Sequence, residues 1–217
     1  RGAYVAFLDA DDVWLFDKVE RQMAALQETS SDAVICGILI TDEHLQVTGE
    51  QRGKVGADLA GLLRFQYSGG GGSTLLASRV VLERVRGYHP ELSTSADWDI
   101  LVQLFLEGTV AVVEEPLVLY RKHRQNMHQN IAVMEHDMLL AFERVFADPR
   151  LDPTLHADES QIRAILHKVL AGSYYEAGQT SAAIRHAARA AFLAPLSLLQ
   201  FLRRMPLETV PKGYNPT

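Results

Sequence analysis

Residues 4–8, with the sequence YVAFL, restrict the possible fold more than any other stretch, because they are apolar at both alternating positions. A strand with two apolar faces is normally buried between helices, as in the parallel sheets of α/β proteins. Such a strand needs neighbouring strands, and none precedes it in the sequence. We therefore expect a central strand of an α/β sheet, in a sequence that lacks an N-terminal portion of that sheet.

The rest of the chain predicts alternating helices and strands up to about residue 123, followed by helices only. In the first part, helices are predicted at 17–27, 57–65, 79–85 and 98–106, and strands at 33–40, 45–47, 74–77, 109–113 and 117–120, with a bend at Pro116. Residues 131–146, 161–176 and 181–193 follow as helices, and 198–204 is a candidate fourth. The predicted fold class is α/β, with residues 1–126 as the α/β domain and 127–217 as a helical region.

The composition is that of a soluble globular protein, with 47% hydrophobic and 22% charged residues. A net charge of −6 argues against nucleic-acid binding as the main role. Cys36 is the only cysteine, which excludes an intrachain disulfide and a cysteine-based zinc site. The most apolar late stretch, near residues 190–202, is shorter than the roughly 20 residues of a membrane span. We expect a soluble, cytoplasmic protein.

Three carboxylates follow the first predicted strand directly, in the sequence Asp9-Ala10-Asp11-Asp12. Side chains two apart in an extended chain point the same way, so Asp9 and Asp11 can converge on one ion. Carboxylate oxygens suit hard cations such as Mg²⁺ or Mn²⁺. The alternative is that the aspartates cap the helix beginning near Asp17. Because the mutual repulsion of three carboxylates needs a cation or proton to relieve it, we favour a divalent metal site.

Residues 1–14 (RGAYVAFLDADDVW) and 17–22 (DKVERQ) resemble the family 2 glycosyltransferases of the GT-A fold. In that family the Asp-x-Asp motif follows a strand and holds a divalent ion against the diphosphate of a nucleotide sugar. The resemblance implies that Asp11 is the more direct metal ligand and that Asp9 lies nearer the nucleotide. Phe16 stands where the family often has proline.

A second acidic group, Asp97, opens the helix predicted at 98–106. Its simplest interpretation is a contribution to the helix start, because the helix dipole stabilises acidic side chains in the first turn. In the family that the chain resembles, an acidic pair followed by an aromatic residue opens this helix, and its second member is the catalytic base. That position matches Asp97, while Ala96 replaces the first member of the pair. The resemblance therefore implies that Asp97 is the base.

The resemblance continues in order and spacing from Tyr88 to the turn at residues 120–127. It implies that His123 supplies a further metal ligand, although a solvated histidine in a basic turn is the alternative. Arg121, Lys122 and Arg124 are candidates to neutralise a leaving diphosphate, as cations do in phosphoryl-type chemistry. A solvated charged turn remains the alternative for these three. The glycine run 69–72 is not a phosphate-binding loop, because no Gly-Lys-Ser/Thr follows it.

The resemblance implies a metal-dependent, inverting transfer of a sugar from a nucleotide-sugar donor to a hydroxyl of a saccharide or lipid-linked acceptor. Cell-surface polysaccharide or glycolipid synthesis is the expected setting. The resemblance covers residues 1–130 well and the helical remainder more loosely. Because the half that would bind the nucleotide base and ribose is expected to be absent, we expect this polypeptide by itself to bind donor poorly and to turn over little or none of it, as an inactive fragment would.

Three further interpretations stay open. The Asp9-to-Val13 segment also approximates the signature of haloacid-dehalogenase phosphatases, although Asp12 stands where that signature has glycine. Ala96 would also be compatible with a non-catalytic helical interaction module that keeps a remnant of a catalytic domain. The C-terminal stretch interleaves arginines with apolar residues, so peripheral contact with the inner face of the cell membrane is an alternative to packing on the main domain.

Overall fold

A computed structural model of the chain describes residues 2–67, 71–123 and 130–195. The strands are β1 (Tyr4–Ala6), β2 (Val13–Trp14), β3 (Ala33–Thr41), β4 (Val47–Gln51), β5 (Leu76–Ser78) and β6 (Val110–Arg121). The helices are α1 (Lys18–Thr29), α2 (Leu59–Leu63), α3 (Arg79–Arg84), α4 (Ala96–Glu107), α5 (Ile131–Phe146), α6 (Pro153–Ala157), α7 (Glu159–Glu176) and α8 (Thr180–Leu193). The chain divides into two compact units, Arg1–Ala157 and Asp158–Thr217.

The strands of the described residues form one mixed sheet in the order β1-β5-β3-β6-β2, with β4 paired to β3. Only the β3–β6 pairing is parallel, and β3 and β6 lie inside the sheet. Residues 33–38 of β3 are all buried, because this strand is apolar on both faces. Leu26 of α1 packs in the same apolar cluster as Val34, Leu117 and Val118. The short strand predicted at 45–47 pairs with β3 as an antiparallel hairpin, but the structure places it later, as β4 at Val47–Gln51.

β6 is one continuous strand, which corrects the prediction of two extended segments separated by a bend at Pro116. The register against β3 slips between the pairs Cys36↔Val113 and Gly37↔Pro116, so the two intervening glutamates bulge out of the ladder. Proline has no N–H to donate and is tolerated in sheets at such bulges. With the bulge, the strand continues to Arg121, and its C-terminal end lies beside the loop that follows β1.

β1 also differs from its prediction as a central, doubly buried strand. It lies at one end of the described strand order and pairs antiparallel with β5. Tyr4 and Leu8 are exposed by 41% and 51%, whereas Ala6 packs against the apolar cluster of the sheet. β1 is only three residues long, and the described residues shield only part of its apolar side chains from solvent.

The second compact unit contains a helical hairpin formed by α7 and α8. The hairpin turns at Gly178, whose φ of +73° lies in the left-handed region that glycine adopts without strain. Inside it, the Nδ1 atoms of His167 and His186 lie 2.9 Å apart, and the Tyr174 ring stacks on His186. The predicted helices 161–176 and 181–193 agree with α7 and α8, whereas the candidate helix 198–204 lies outside the described residues.

The predicted domain limit near residue 126 remains a prediction, but the compact division of the chain falls after Ala157. The difference has a physical cause in α5, which begins at Ile131 and packs into the first unit. Its Phe142 side chain is fully buried and stacks on Trp98 of α4. Among the described helices, none combines the length with the apolar character that a segment crossing a membrane requires.

Candidate active site

The loop that carries the three aspartates is fixed on one side by the turn at Gly72–Thr74. The backbone N–H of Asp9 donates to Ser73 Oγ over 3.0 Å, and Trp14 Nε1 donates to the Ser73 carbonyl oxygen over 3.0 Å. The Asp12 N–H donates to the Asp9 carbonyl oxygen over 3.2 Å and closes the loop on itself. Ser73 therefore holds both ends of the loop, one through its hydroxyl and the other through its backbone.

The C-terminal end of β6 fixes the other side of the same loop. The Arg121 N–H donates to Asp12 Oδ1 over 3.1 Å, and His123 Nε2 lies 2.9 Å from Asp11 Oδ2. The structure thus brings the predicted residues Asp11, Arg121 and His123 to one place. The capping alternative has no support, because Asp17 occupies the N-cap position of α1 and makes no side-chain capping bond.

Asp97 lies in the first turn of α4, and its carboxylate meets the same glycine turn that holds the aspartate loop. A Cβ placed on Gly72 would lie 3.0 Å from Asp97 Oδ1 and 3.2 Å from the Tyr88 hydroxyl oxygen, so a larger residue here would press on both groups. Burial raises the pKa of the Tyr88 phenol far above its ordinary value. The negative charge of Asp97 and a hydrogen bond to its carboxylate add to this rise. The phenol therefore stays protonated and can donate to Asp97.

The aspartate loop and Asp97 share one electrostatic environment. The pKa of Asp9 is raised mainly by burial, next by the negative charge of Asp97, and then by Asp12 and Asp11. A hydrogen bond from Ser73 opposes this rise but does not cancel it. Tyr88 links the two groups further, because its ring also packs edge-on against Phe7, with 5.2 Å between ring centroids. The predicted binding residues and the predicted base are therefore neighbours.

The donor atoms at this place fit a hard divalent cation. Asp9 and Asp11 supply carboxylate oxygens, and His123 supplies an imidazole nitrogen. The side chains of Asp11 and His123 are 39% and 25% exposed, so both are accessible to an ion from solvent. Within residues 2–67, 71–123 and 130–195, however, no three His, Cys, Asp or Glu side chains are gathered closely enough to hold a metal ion by themselves. Oxygen atoms of a ligand would have to complete the coordination shell.

A buried polar network connects α1 to the turn at Gly72–Thr74. Lys18 is fully buried, and its ammonium donates to Gln22 Oε1 over 2.7 Å. Gln22 Nε2 in turn donates to the Thr74 carbonyl oxygen over 2.7 Å. The ammonium also lies 4.3 Å from the centroid of the Trp14 ring. Burial lowers the pKa of Lys18 to about 8. Through these contacts, α1 is tied to the turn that faces Asp97.

Sequence reasoning missed Ser73 and assigned no role to Tyr88. Ser73 follows the glycine run, and its hydroxyl acts on a loop 64 residues away, so no local pattern marks it. Tyr88 stands nine residues before Asp97 and meets it only because α3 and α4 fold back on each other. The first two residues of the glycine run, 69 and 70, and Arg124 of the basic turn lie outside the described residues.

Comparison with known proteins identifies relatives of this chain in sequence and in fold. Residues 1–86 match the family described as Glycosyl transferase family 2. An uncharacterized glycosyltransferase of Nostoc sp. is 31% identical over 142 residues, which are 60% of this chain and 43% of that protein. The chain therefore spans less than half the length of this curated relative.

Two crystal structures of S. aureus TarS, residues 1–349, share the fold. The complex with UDP-GlcNAc has a TM-score of 0.60 at 16% identity, over 94% of this chain and 64% of TarS. A second structure has a TM-score of 0.53 at 14% identity, over 81% of this chain and 48% of TarS. The predicted fold class, a GT-A-like mixed sheet with flanking helices followed by further helices, is confirmed.

Proposed function

We propose, from the match of residues 1–86 to glycosyl transferase family 2, that the chain carries the acceptor-side part of a sugar-transferring enzyme. Its substrates would be a nucleotide-sugar donor and a saccharide or lipid-linked acceptor with a free hydroxyl. The observation that carries this proposal is that the aspartate loop and Asp97 both lie against the turn at Gly72–Thr74, so that the charge of Asp97 adds to the burial that raises the pKa of Asp9. The donor class is supported by the structural neighbour TarS, which has been crystallised with UDP-GlcNAc.

Asp97 is proposed as the general base of an inverting transfer. Its carboxylate takes the proton of the acceptor hydroxyl as the hydroxyl oxygen bonds to the anomeric carbon. The bond from that carbon to the diphosphate oxygen breaks on the opposite face, and the diphosphate leaves with the electron pair. Tyr88 holds the Asp97 carboxylate through its hydrogen bond and, being protonated, does not compete for the acceptor proton. Position 96 is alanine, so the base acts without the adjacent acidic residue that the family pattern has.

Asp11, Asp9 and His123 are proposed to hold Mg²⁺ or Mn²⁺ together with oxygen atoms of the donor diphosphate. A bound divalent ion would supply Lewis-acid stabilisation of the negative charge on the leaving group. Arg121 is proposed to add a positive charge on the same side, since its charge already acts on Asp12. His123 keeps Asp11 oriented through the 2.9 Å contact between their side chains.

The proposed setting is polysaccharide or glycolipid synthesis at the inner face of the cell membrane, with an acceptor that can be lipid-linked. Peripheral membrane contact through the C-terminal helices belongs to this proposal. It is tested by co-sedimentation of the chain with vesicles of anionic lipid, with and without residues 196–217. Binding that does not change when this segment is removed contradicts a contact made by that segment.

The metal site is tested by titrating Mn²⁺ into the chain and its Asp11→Ala variant by calorimetry. We expect binding by the wild type and its loss in the variant, because Asp11 is the proposed direct ligand. Asp152→Ala is a matched control, since Asp152 is an accessible aspartate that accepts hydrogen bonds from Thr154 before α6. Absence of Mn²⁺ binding by the wild type contradicts the metal site and favours a non-catalytic remnant.

The transfer reaction is tested with radiolabelled nucleotide sugars and a panel of saccharide and lipid-linked acceptors, incubated for hours so that slow turnover is detected. Asp97→Asn is expected to lower the rate by about 10²- to 10⁴-fold, the usual contribution of a general base. Mn²⁺ binding should survive this substitution. Mg²⁺-dependent hydrolysis of p-nitrophenyl phosphate that Asp9→Asn abolishes would instead favour the phosphatase interpretation.

A further inference from the structure

The start of α4 depends on a carboxylate from another helix. Ser95 is the N-cap residue of α4, yet its side chain makes no capping hydrogen bond. The backbone N–H groups of Ser93, Thr94 and Ser95 instead donate to Asp137 Oδ2 of α5, over 2.8, 2.7 and 3.4 Å. The hydroxyls of Ser93 and Thr94 donate to the same oxygen, over 3.2 and 3.0 Å. Five donors from the segment just before Asp97 therefore converge on one atom.

This arrangement is built around a charged carboxylate. Asp137 is 2% exposed, so its negative charge is removed from water and needs hydrogen bonds to compensate it. Burial alone would raise the pKa of Asp137, but the hydrogen bonds from Ser93 and Thr94, with that from His136, lower it to about 2. Hydrogen bonds to an ionised acceptor are roughly twice as strong as bonds between neutral groups. Asp137 is thus a strong anchor for residues 93–95.

α5 also contacts α4 at the two residues that follow Asp97. The rings of Trp98 and Phe142 stack with 5.0 Å between centroids and an interplanar angle of 9°. One residue further, the Asp99 carboxylate is 2% exposed and pairs with Arg144 Nε over 3.3 Å. Residues 93–95, Trp98 and Asp99 thus all contact α5, whereas Asp97 faces Gly72 and Tyr88.

We propose that Asp137 is a positioning residue for the base Asp97. By holding the backbone that leads into the first turn of α4, it fixes the direction in which the Asp97 carboxylate points. The inference rests on the proposed function of Asp97, and it assigns a role in that site to a helix that lies beyond the family match at residues 1–86. Catalysis is sensitive to such placement, because an error of about 1 Å in a reacting group can cost on the order of 100-fold in rate.

The test compares the wild-type chain with Asp137→Ala and Asp137→Asn, at a temperature where all three are folded. In Asp137→Ala, we expect kcat of sugar transfer to fall on the order of 100-fold, with the KM for the donor changed by less than about 2-fold. Asp137→Asn should fall between alanine and wild type, because its amide oxygen still accepts hydrogen bonds but carries no charge. Amide hydrogen exchange at Ser93, Thr94 and Ser95 should become faster in the same order.

Asp152→Ala is the matched control, because Asp152 also accepts a backbone and a hydroxyl hydrogen bond, from Thr154, but does so at the start of α6. It should leave both kcat and the exchange of residues 93–95 unchanged. The proposal is overturned if Asp137→Ala exchanges faster at these amides but keeps its kcat. It is also overturned if kcat falls only in proportion to the folded fraction, as a purely structural role would require.

A separate readout distinguishes failure of this inference from failure of the proposed function. If the wild-type chain neither transfers sugar nor binds Mn²⁺, the proposed function is contradicted. The NMR signal of the Asp97 carboxyl carbon then decides the positioning role. A signal that moves in Asp137→Ala and stays in place in Asp152→Ala supports the anchor, whereas a signal that stays in place in both variants overturns it.

Discussion

Lys18 is a positive charge inside the first compact unit, held by the Gln22 side chain and by the face of the Trp14 ring. Its pKa is lowered to about 8 by burial, from an ordinary value near 10.5. Between these two values the unfolded chain binds more protons at this side chain than the folded chain does. The free energy of unfolding therefore rises with pH across this window, because the cost of burying the charge disappears as Lys18 loses its proton.

We predict that Lys18→Met abolishes this part of the pH dependence. Between pH 7.5 and pH 9.5, the wild type should gain about 2 kcal/mol in unfolding free energy relative to the variant, as the linkage relation gives for a pKa lowered to about 8. Urea unfolding at the two pH values measures this difference. Lys54→Met, at an exposed lysine, should change the pH dependence little. Equal pH dependence in the wild type and Lys18→Met would contradict the buried charge.

The pKa of Asp9 is shifted in the opposite direction from that of Lys18, because burial and the neighbouring carboxylates disfavour its negative charge and raise its pKa. The folded chain keeps this proton to a higher pH than the unfolded chain does, so the ionised carboxylate destabilises the fold as pH rises above the ordinary value of 3.8. Repulsion among carboxylates in a binding site is a stability cost that a bound cation relieves. The aspartate loop should therefore be less stable at neutral pH without divalent ions.

We predict that Asp9→Asn raises the melting temperature at pH 7 in the absence of divalent ions, because asparagine cannot ionise. The gain should shrink as the pH falls, because the raised pKa lets Asp9 take up a proton before an ordinary aspartate does. Addition of Mn²⁺ should stabilise the wild type more than the variant. Thermal unfolding followed by circular dichroism provides the measurement. A variant that melts below the wild type at pH 7 would show that the Asp9 charge is already compensated by other groups.

At the scale of elements, two glycines allow β3 and β6 to pack closely with the chain that follows β4. A Cβ on Gly37 would lie 2.7 Å from the Gln51 carbonyl oxygen and 3.0 Å from that of Glu114. A Cβ on Gly53 would lie 2.4 Å from the Val113 carbonyl oxygen. Backbone atoms cannot move aside as the end of a flexible side chain can. Side chains at these positions would therefore force the strands apart.

We predict that Gly37→Ala destabilises the chain by about 1–3 kcal/mol, the usual cost of overpacking a well-packed core. Gly172→Ala is the matched comparison, because it lies in the middle of α7 and a Cβ there meets nothing within 4 Å. That substitution should stabilise the chain by about 0.5–1 kcal/mol, since glycine is a poor helix former. Urea unfolding of both variants tests the contrast, and a neutral Gly37→Ala would contradict the close approach.

The bounds of an element can be predicted from the sequence where the spacing of its apolar residues alone determines which face is buried. α5 was predicted at its observed bounds, because its apolar stripe is regular and its ends carry clear breaks. β6 was divided wrongly, because a proline in a strand is compatible with either a bend or a bulge, and only the partner strand β3 decides between them. For the same reason, Ser73, Tyr88 and Asp137 escaped notice in the site. Ser73 and Asp137 act on residues 64 and more than 40 positions away. Tyr88 is near Asp97 in the sequence, but only the packing of the segment between them brings the two side chains together.

At the scale of the whole molecule, the family match at residues 1–86 is not the same as a folding unit. It contains β1 to β5 but lacks β6, which lies between β3 and β2 in the sheet. Without β6, one edge of β3 would expose the unpaired backbone of residues 33–41 beside apolar side chains. The site would also lose Arg121 and His123, which hold the aspartate loop.

We predict that a fragment of residues 1–86 does not unfold cooperatively. Its circular dichroism should change gradually with urea, and its amide NMR spectrum should show little dispersion. The 217-residue chain, measured in parallel, should show a sigmoidal transition. A sharp transition in the fragment would mean that β6 is dispensable for the core, against the central position that the sheet order gives it.

The hydrogen bond between the Asp12 carboxylate and the Arg121 N–H spans 109 residues of chain. During synthesis on the ribosome, the aspartate loop consequently has to wait for the end of β6 before it acquires its final shape. At about 5–20 residues per second, that delay lasts on the order of 5 to 20 seconds. Throughout it, the apolar residues of β3 are available to chaperones and to other nascent chains, so the yield of correctly made protein should depend on how quickly translation passes the β6 codons.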